Sequence, residues 1–290
     1  MAKYRVTVDT GGTFSDFVFF NEETGKISIA KVSSTPKEPF QAVLNGVQEL
    51  LDQGVAAKDI SFFCHGTTVG TNTLLEGKGA KTGLLVTSGF RGIYEVMEQT
   101  RGYGPATYDL FFEKPKLLAP SYYTEEIPER VDFRGEVLKP IDIESSLQAI
   151  RSLKQKKVES VAVCFLFSFL NQKHELKIKE IMEKEFPEAS LSLSCEILPQ
   201  IREFYRMSTT VINAYIAPVL SRYLGRLEGR LREMGVTTPK LYIMQSNGGV
   251  STFQGAGKKP VATVLSGPAG GVIASLGISQ MAGIKNIITF

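Results

Sequence analysis

The alternation of hydrophobic and polar positions at the start of the chain predicts three short strands. Residues 4–8 alternate strictly and lead into Asp9, which a Gly-Gly turn follows. Residues 14–20 and 26–32 have the composition of two further strands, separated by a polar turn. Strands this close in sequence pair with their neighbours, so we expect a three-stranded antiparallel meander.

A period of 3.6 residues then replaces the period of two. Thr35 is predicted to cap a helix, with Pro36 at its first position. Its apolar face is formed by Phe40, Val43, Leu44, Val47, Leu50 and Leu51. A strand at residues 59–64, a helix through residues 74 and 75 and a strand at residues 81–86 follow. Such alternation favours an α/β fold with parallel strands.

Residues from about 89 to 140 interrupt this alternation. They are rich in Gly, Pro and aromatic residues, and they predict an irregular insertion with a small hairpin at residues 125–137. Loops of this length in compact domains are usually functional or mobile. A structural excursion without a functional role is an equally open interpretation.

The alternation resumes after Pro140. Helices are predicted at residues 141–153, 174–185 and 202–234, and strands at residues 158–167, 191–195 and 241–244. Pro218 lies inside the long helix and is expected to kink or split it. A further helix runs from the Gly-rich segment at residues 265–271 through Leu276. Residues 284–290 are interpreted as the start of another strand, which suggests that the native domain continues beyond them.

Composition excludes several classes of protein. The chain has 33 Lys and Arg against 30 Asp and Glu, a net charge of +3, and no basic run that indicates nucleic-acid binding. Its three cysteines are far apart, which favours reduced, buried thiols in a cytoplasmic protein. We expect no membrane association, because the start of the chain lacks a secretory signal and its apolar runs are too short to span a bilayer.

The turn after the first strand is a candidate phosphate site. Glycines at positions 11 and 12 let the backbone approach a phosphate, and Thr10 and Thr13 add hydroxyl groups. Asp9 could hold a hydrated Mg²⁺ or orient a water molecule, which makes it a candidate metal ligand and catalytic residue. The alternative is an ordinary hairpin turn, where Gly-Gly is also common.

A second Gly/Thr-rich segment covers residues 65–73. His65 could act as a general base, although a structural histidine at a strand end is at least as plausible. Thr67, Thr68 and Asn72 could hydrogen bond to a carbonyl substrate, and we include Asn72 among the candidate catalytic residues. Capping of the following helix explains the same residue types equally well.

Two further Gly-rich turns follow apolar strands or open helices. The candidate cofactor-binding residues in them are Asn247, Gly248, Gly249, Gly267, Gly270 and Gly271. Ligands of α/β proteins bind at the carboxyl ends of strands, so several Gly-rich turns at these positions indicate a ligand site more strongly than one turn does. Arg91, beside the insertion, could line a substrate pocket or belong to a solvated helix face.

Taken together, these segments resemble the hydantoinase A/5-oxoprolinase family, which includes the ATP-using subunits of acetone- and acetophenone-type carboxylases. The matching segments are VDTGGTFSDFV (8–18), HGTTVGTNTLLE (65–76), GLLVTSGFR (83–91), YDLFFEKP (108–115), STTVINA (208–214), MQSNGGV (244–250) and LSGPAGGV (265–272). They occur in this order from one end of the chain to the other.

The resemblance implies an α/β fold related to the actin, Hsp70 and sugar-kinase ATPases, with RNase H-like lobes that bind ATP and Mg²⁺. It implies a first lobe at residues 1–200 and the start of the catalytic lobe at residues 201–290. Members of the family are longer and carry a second phosphate loop after a strand like residues 287–290. We therefore expect the first lobe to be complete, the second to be truncated, and this piece alone to be inactive.

The implied activity is ATP-dependent hydrolysis of a cyclic amide, whose oxygen is phosphorylated before ring opening. A hydantoinase B-like partner subunit and an oligomer are expected with it. One alternative is the ATP-using subunit of a ketone carboxylase. Another, of a different class, is a non-catalytic lobe whose site is completed by a partner chain.

Overall fold

The computed structural model describes residues 3–35, 38–97, 108–111 and 113–289, and these contain short strands and helices in alternation. The strands are β1 (Tyr4–Thr10), β2 (Phe14–Asn21), β3 (Ile27–Ser33), β4 (Ile60–Thr67), β5 (Thr82–Thr87), β6 (Thr124–Ile127), β7 (Arg130–Val131), β8 (Val137–Lys139), β9 (Ser160–Cys164), β10 (Ser190–Leu193), β11 (Leu241–Met244) and β12 (Val250–Thr252).

The α-helices of the described residues vary widely in length, from four to 31 residues. They are α1 (Pro39–Asp52), α2 (Val69–Leu75), α3 (Ile93–Val96), α4 (Ile143–Gln155), α5 (Lys173–Glu185), α6 (Ser194–Ile197), α7 (Glu203–Glu233), α8 (Phe253–Lys258) and α9 (Ser266–Met281). None of the described helices is both long and apolar enough to cross a membrane.

The chain divides into two compact units. Unit 1 comprises Met1–Lys78 and Val219–Phe290, and unit 2 comprises Gly79–Pro218. Unit 2 is therefore inserted into unit 1 along the sequence, and α7 contains the second boundary. The division into residues 1–200 and 201–290 that the resemblance implies follows different limits and stays a prediction.

Unit 1 is built on a six-stranded sheet with the order β12-β11-β4-β1-β2-β3. The predicted meander is confirmed, because β1 pairs antiparallel with β2 and β2 with β3. β4 adds parallel to β1, and β11 adds parallel to β4. The alternation of side chains along β1 and β2 buries every second residue, as expected of a sheet with one covered face.

The apolar faces of α1 and α7 pack with this sheet in one hydrophobic cluster. Val43, Val47 and Leu50 of α1 are buried in it, and so are the four leucines of α7: Leu220, Leu224, Leu227 and Leu231. Their spacing of three and four residues places them on one side of each helix. The predicted helical faces are therefore confirmed in this unit.

Unit 2 contains a four-stranded parallel sheet with the order β10-β9-β5-β6. Helices α4 and α5 pack on it through buried residues that include Ile150, Leu153 and Ile178. The side chain of Asp142 accepts a hydrogen bond from the Ser145 N–H at 2.8 Å and so caps α4.

Several predicted details differ from the structure. The first long helix begins at Pro39 rather than near Thr35, although the Thr35 hydroxyl still accepts a hydrogen bond from the Ala42 N–H at 3.2 Å. Pro36 lies outside the described residues. Pro39 takes the place expected for Pro36, since its fixed φ also suits the first helical turn.

The predicted hairpin at residues 125–137 is also different. The hairpin in the structure pairs β7 with β8, and the preceding β6 is instead a parallel edge strand beside β5. Residues 98–107 and 112 of the predicted insertion lie outside the described residues. At the other end of the chain, residues 284–289 are exposed and form no strand, because no neighbouring strand supplies hydrogen-bond partners there. Finally, α7 continues through Pro218 and is not split there, so a kink at this residue stays a prediction.

We predict that Gly46→Ala destabilises the protein although Gly46 lies in the middle of α1. A Cβ at this position would lie 2.2 Å from Cζ of Phe17 on the underlying strand. Relief of this overlap costs about 1–3 kcal/mol, more than the roughly 1 kcal/mol that alanine gains over glycine in a helix. The urea midpoint of unfolding should fall.

The matched control is Gly229→Ala in α7, where an added Cβ meets nothing within 4 Å. This exposed helical position should show the ordinary gain in stability from alanine. Equal stability of the two variants would contradict the packing of α1 against Phe17.

Candidate active site

The carboxyl ends of three strands lie side by side at one edge of the unit 1 sheet. β1, β4 and β11 are parallel neighbours, so the segments that follow them leave the sheet at the same edge. In the register, Asp9 lies opposite Gly66 and Thr10 opposite Thr67. The first and second Gly-rich segments are therefore adjacent, as ligand sites of α/β sheets require.

The first segment is a tight hairpin turn between β1 and β2. The Gly11 N–H donates to the Phe14 carbonyl at 2.9 Å, and the Ser34 hydroxyl donates to the Gly11 carbonyl at 2.9 Å. An added Cβ at Gly12 would meet nothing within 4 Å, so this face of the turn is open. The hairpin and phosphate interpretations are thus compatible, because the turn leaves backbone exposed beside the Asp9 carboxylate.

Asp9 lies directly against Gly66 on β4. A Cβ at Gly66 would lie 2.7 Å from Oδ1 of Asp9, a distance that real contacts do not tolerate. Only glycine leaves room for the carboxylate at this place. Partial desolvation raises the pKa of Asp9 above its ordinary value, and the negative charge of Asp16 raises it further. A cation here would relieve that repulsion.

The donor set around Asp9 fits Mg²⁺ better than a metal held only by protein ligands. Within the described part of the chain, no cluster of three or more His, Cys, Asp or Glu could hold a metal ion. Mg²⁺ typically binds to one or two carboxylates, to substrate phosphates and to several waters. A single exposed carboxylate beside an open Gly-rich turn meets that requirement.

His65 is wholly buried under this edge. Its Nε2 lies 2.7 Å from the Tyr223 hydroxyl of α7. Burial lowers the pKa of His65 to about 4, only partly offset by the Val8 carbonyl. The imidazole is therefore neutral near pH 7 and sealed from solvent. This geometry favours the structural interpretation of His65 over a general base that contacts a substrate.

The remaining residues of the second segment lie at the start of α2. The Thr67 hydroxyl accepts a hydrogen bond from the Val69 N–H at 3.2 Å, and Asn72 Nδ2 donates to the Thr68 hydroxyl at 3.3 Å. Thr67 is buried, Thr68 is partly accessible and Asn72 is exposed. The geometry of these side chains is thus compatible with both interpretations, capping of α2 and contact with a ligand.

The third Gly-rich segment is the loop between β11 and β12. Oδ1 of Asn247 accepts the Gly249 N–H at 2.9 Å, and Gly248 has a φ of +81° that favours glycine. A Cβ on Gly248 would lie 2.7 Å from Cγ1 of Ile273 on α9. Gly248 therefore also permits the close approach of this loop to the last helix.

The fourth segment forms the first turn of α9. A Cβ on Gly270 would lie 3.1 Å from the Met244 side chain, whereas Gly267 and Gly271 face open space. The Leu265 N–H donates to the Thr71 hydroxyl at 3.1 Å, which ties the start of α9 to α2. All four segments therefore belong to unit 1, and hydrogen bonds, sheet pairing or direct packing link them.

Arg91 belongs to unit 2 and is exposed, and its guanidinium donates to the Ser121 carbonyl. Ser121 in turn donates to Oε2 of Glu95 at 2.7 Å. The guanidinium retains exposed surface that a ligand could reach, so the structure leaves open both of the roles considered for this residue.

Unit 2 has a polar cluster at the carboxyl ends of its own strands that the sequence analysis did not identify. Glu175 accepts the N–H groups of Phe165 at 2.9 Å and Cys195 at 2.8 Å, and Nδ1 of His174 lies 2.6 Å from Oε2 of Glu129. These side chains are buried and hydrogen-bonded within the unit. They hold the loops after β9 and β10 rather than presenting free groups.

Comparisons with known proteins agree with this architecture. Residues 5–186 match the family model for the hydantoinase/oxoprolinase N-terminal region, and residues 206–290 match the hydantoinase/oxoprolinase model. The caprolactamase subunit alpha of Pseudomonas jessenii is 34% identical over 99% of this chain. The 5-oxoprolinase 1 of Arabidopsis thaliana is 30% identical over 93% of it.

Solved structures give the same result. The crystal structure of the ATP-dependent caprolactamase from Pseudomonas jessenii superposes over 98% of this chain with a TM-score of 0.88 and 33% identity. A nucleotide-free acetone carboxylase has a TM-score of 0.84 at 23% identity, which shows a common fold. The chain covers 42% of the caprolactamase subunit and 23% of the 5-oxoprolinase. The chain belongs to the hydantoinase/oxoprolinase family, which confirms the resemblance.

We predict that Gly66→Ala disturbs the sheet edge through Asp9. The added methyl group must displace the Asp9 carboxylate, at a cost of about 1–3 kcal/mol in the free energy of unfolding. The loss should be smaller in an Asp9→Ala background, where the overlapping oxygen is absent. A double-mutant cycle by urea unfolding measures this coupling.

Gly12→Ala is the control for that cycle, since a Cβ there meets nothing within 4 Å. It should show no coupling to Asp9→Ala. Strictly additive effects of Gly66→Ala and Asp9→Ala would contradict the contact.

We also predict an acid-sensitive contribution of His65 to stability. The unfolded chain takes up a proton near the ordinary pKa of 6.5, whereas the folded state resists it down to about 4. Stability from the neutral imidazole is thus present above pH 6.5 and is lost as pH falls towards 4, by about 3 kcal/mol. The stability advantage of wild type over His65→Gln should shrink over this range, and a constant difference would contradict the burial.

Proposed function

We propose that the chain is the N-terminal part of an ATP-dependent cyclic amide hydrolase of the hydantoinase/5-oxoprolinase type. The observation that carries this proposal is the convergence of four Gly-rich segments, with Asp9 among them, at one edge of the unit 1 sheet. The activities named for the caprolactamase and 5-oxoprolinase relatives support it. Because this chain covers less than half of each of these relatives, the activity of the whole protein is part of the proposal.

In this proposal the open backbone of the Gly-rich segments holds the phosphates of ATP, and Asp9 holds Mg²⁺. The phosphate-binding residues are Thr10, Gly11, Gly12, Thr13, Asn247, Gly248, Gly249, Gly267, Gly270 and Gly271. Gly248 and Gly270 act through close packing, since their Cα atoms approach Ile273 and Met244. The amide groups of the turns and the α9 N-terminus favour negative charge at this edge.

The substrate side of the unit 1 site is assigned to Thr67, Thr68 and Asn72, and Arg91 of unit 2 stays a separate candidate for substrate binding. Hydroxyl and amide groups can orient an amide carbonyl for attack, and a guanidinium can pair with a carboxylate. ATP supplies the phosphoryl group that turns the amide oxygen into a leaving group. The residues of the chain bind, orient and neutralise charge, which is most of what phosphoryl transfer requires of a protein.

The finer features implied by the resemblance belong to the same proposal. They are actin-like ATPase lobes, a hydantoinase B-like partner subunit, an oligomer and a cytoplasmic location. The relatives named as subunits support a partner. Cys64, Cys164 and Cys195 are buried and unpaired, which favours a reducing compartment.

Two other functions fit particular observations. Tyr108, Leu110 and Phe111 in the insertion are largely exposed, and this apolar surface suits a ketone substrate of a carboxylase. The apolar residues of α9 are also exposed, among them Ile278 and Met281. They suit a lobe that needs a partner chain to complete its site.

Release of phosphate from Mg-ATP by the full-length protein, with its partner subunit where one is encoded, tests the proposal. Stimulation by caprolactam, 5-oxoproline or hydantoin supports the amide hydrolase. Stimulation only by bicarbonate with acetone or acetophenone supports the carboxylase. No stimulation by either class would leave the non-catalytic lobe.

Asp9→Asn is expected to lower ATP turnover by about a hundredfold or more, the scale of losing a charge-stabilising group in a phosphoryl-transfer site. The control is Asp52→Asn at the exposed end of α1, which should leave turnover unchanged. Near-normal turnover by Asp9→Asn would remove Asp9 from the site.

A further inference from the structure

A buried hydrogen-bonded chain connects α7 to the edge of the sheet where the Gly-rich segments meet. The Tyr223 hydroxyl bonds to Nε2 of His65 at 2.7 Å and faces the side chain of Thr67. Thr67 accepts the Val69 N–H at 3.2 Å. The three side chains are buried, so water does not compete for these bonds.

The direction of the hydrogen bonds follows from the partners. The Val69 N–H can only donate to the Thr67 hydroxyl. Tyr223 donates to Nε2 of His65, which accepts because burial keeps the imidazole neutral. The remaining ring nitrogen, Nδ1, faces the Val8 carbonyl but makes no well-aligned hydrogen bond to any described residue.

The position of these hydrogen-bonded side chains at the end of β4 allows them to affect the geometry of the candidate site. His65, Gly66 and Thr67 are the last three residues of β4, which lies between β1 and β11. Gly66 contacts the Asp9 carboxylate, and Thr67 lies opposite Thr10 in the register. A shift of the β4 end would therefore move the groups assigned to Mg²⁺ and phosphate.

We propose that Tyr223 and His65 are positioning residues: the Tyr223 hydroxyl holds the imidazole of His65, and with it the carboxyl end of β4, in place for phosphoryl transfer. Neither touches the substrate. The proposal rests on the proposed function. It gives His65 a positioning role, which a buried histidine can have although it cannot reach a substrate as a general base. The phenol ring packs in the unit 1 core, whereas the hydroxyl group sets the strand end.

Tyr223→Phe tests this role in the full-length protein, since it removes one oxygen and keeps the packed ring. We expect kcat for substrate-stimulated ATP turnover to fall at least tenfold, with KM for ATP changed less than threefold. His65→Gln, which keeps a hydrogen-bond acceptor, should lose less than His65→Ala. The control is Tyr94→Phe, another buried tyrosine, whose hydroxyl faces the Leu118 backbone in unit 2.

Hydrogen exchange of the nucleotide-free protein gives a readout that does not depend on activity. Amides of residues 66–69 should exchange faster in Tyr223→Phe than in wild type or Tyr94→Phe. Unchanged exchange, or a kcat no lower than that of Tyr94→Phe, would overturn the positioning role. Faster exchange in Tyr223→Phe, together with no ATP turnover by the wild-type protein, would overturn the proposed function while supporting the role of the buried hydrogen bond.

Discussion

β4 lies between β1 and β11, and both neighbours run parallel to it. Because of this pairing, three segments that are distant in sequence leave the sheet at one edge. The strand has no freedom to slip, since a shift by one residue would turn His65 from the core towards the opposite face. The arrangement of Asp9, Thr10 and the loops around them therefore depends on the register of this strand.

Small residues allow that arrangement to be compact. Gly66 leaves room for the Asp9 carboxylate, and Gly248 and Gly270 let the last helix approach β11 and its loop. In each case the backbone comes closer than a side chain permits. The buried bond between His65 and Tyr223 complements this, because it restrains a segment whose glycine would otherwise leave it loose.

Local pattern was enough to predict the elements around this site. The alternation at residues 4–8 and the spacing of Leu220, Leu224, Leu227 and Leu231 are properties of neighbouring residues, and both predictions are confirmed. The family resemblance could also be identified from the sequence alone, because it rests on short motifs. What the pattern could not show was which strands pair across long separations. The strand at Thr82–Thr87 belongs to the sheet of unit 2 and not to that of unit 1, although it follows β4 and α2 in sequence. Residues 284–289, which have no partner strand, form no strand.

The burial of His65 and the contact of Gly66 with Asp9 depend on the same non-local pairing. A histidine before a Gly-Thr-Thr segment has the same appearance in a sequence whether it faces solvent or the core. Its distance of 158 positions from Tyr223 explains why no local motif reveals the bond. The roles assigned to the Gly-rich segments from the sequence remain predictions for the same reason, since spacing alone does not separate packing from ligand contact.

The way unit 2 begins and ends has a consequence for how such proteins diversify. Residues near its two ends are neighbours: the Ala80 N–H bonds to the Tyr215 carbonyl at 2.9 Å, and Gly79 packs against the Tyr215 ring. A unit whose two ends meet can be exchanged for another without breaking the sheet that hosts it. Evolution could thus replace the inserted unit as a cassette while the sheet edge with the Gly-rich segments stays intact, and a protein engineer could do the same.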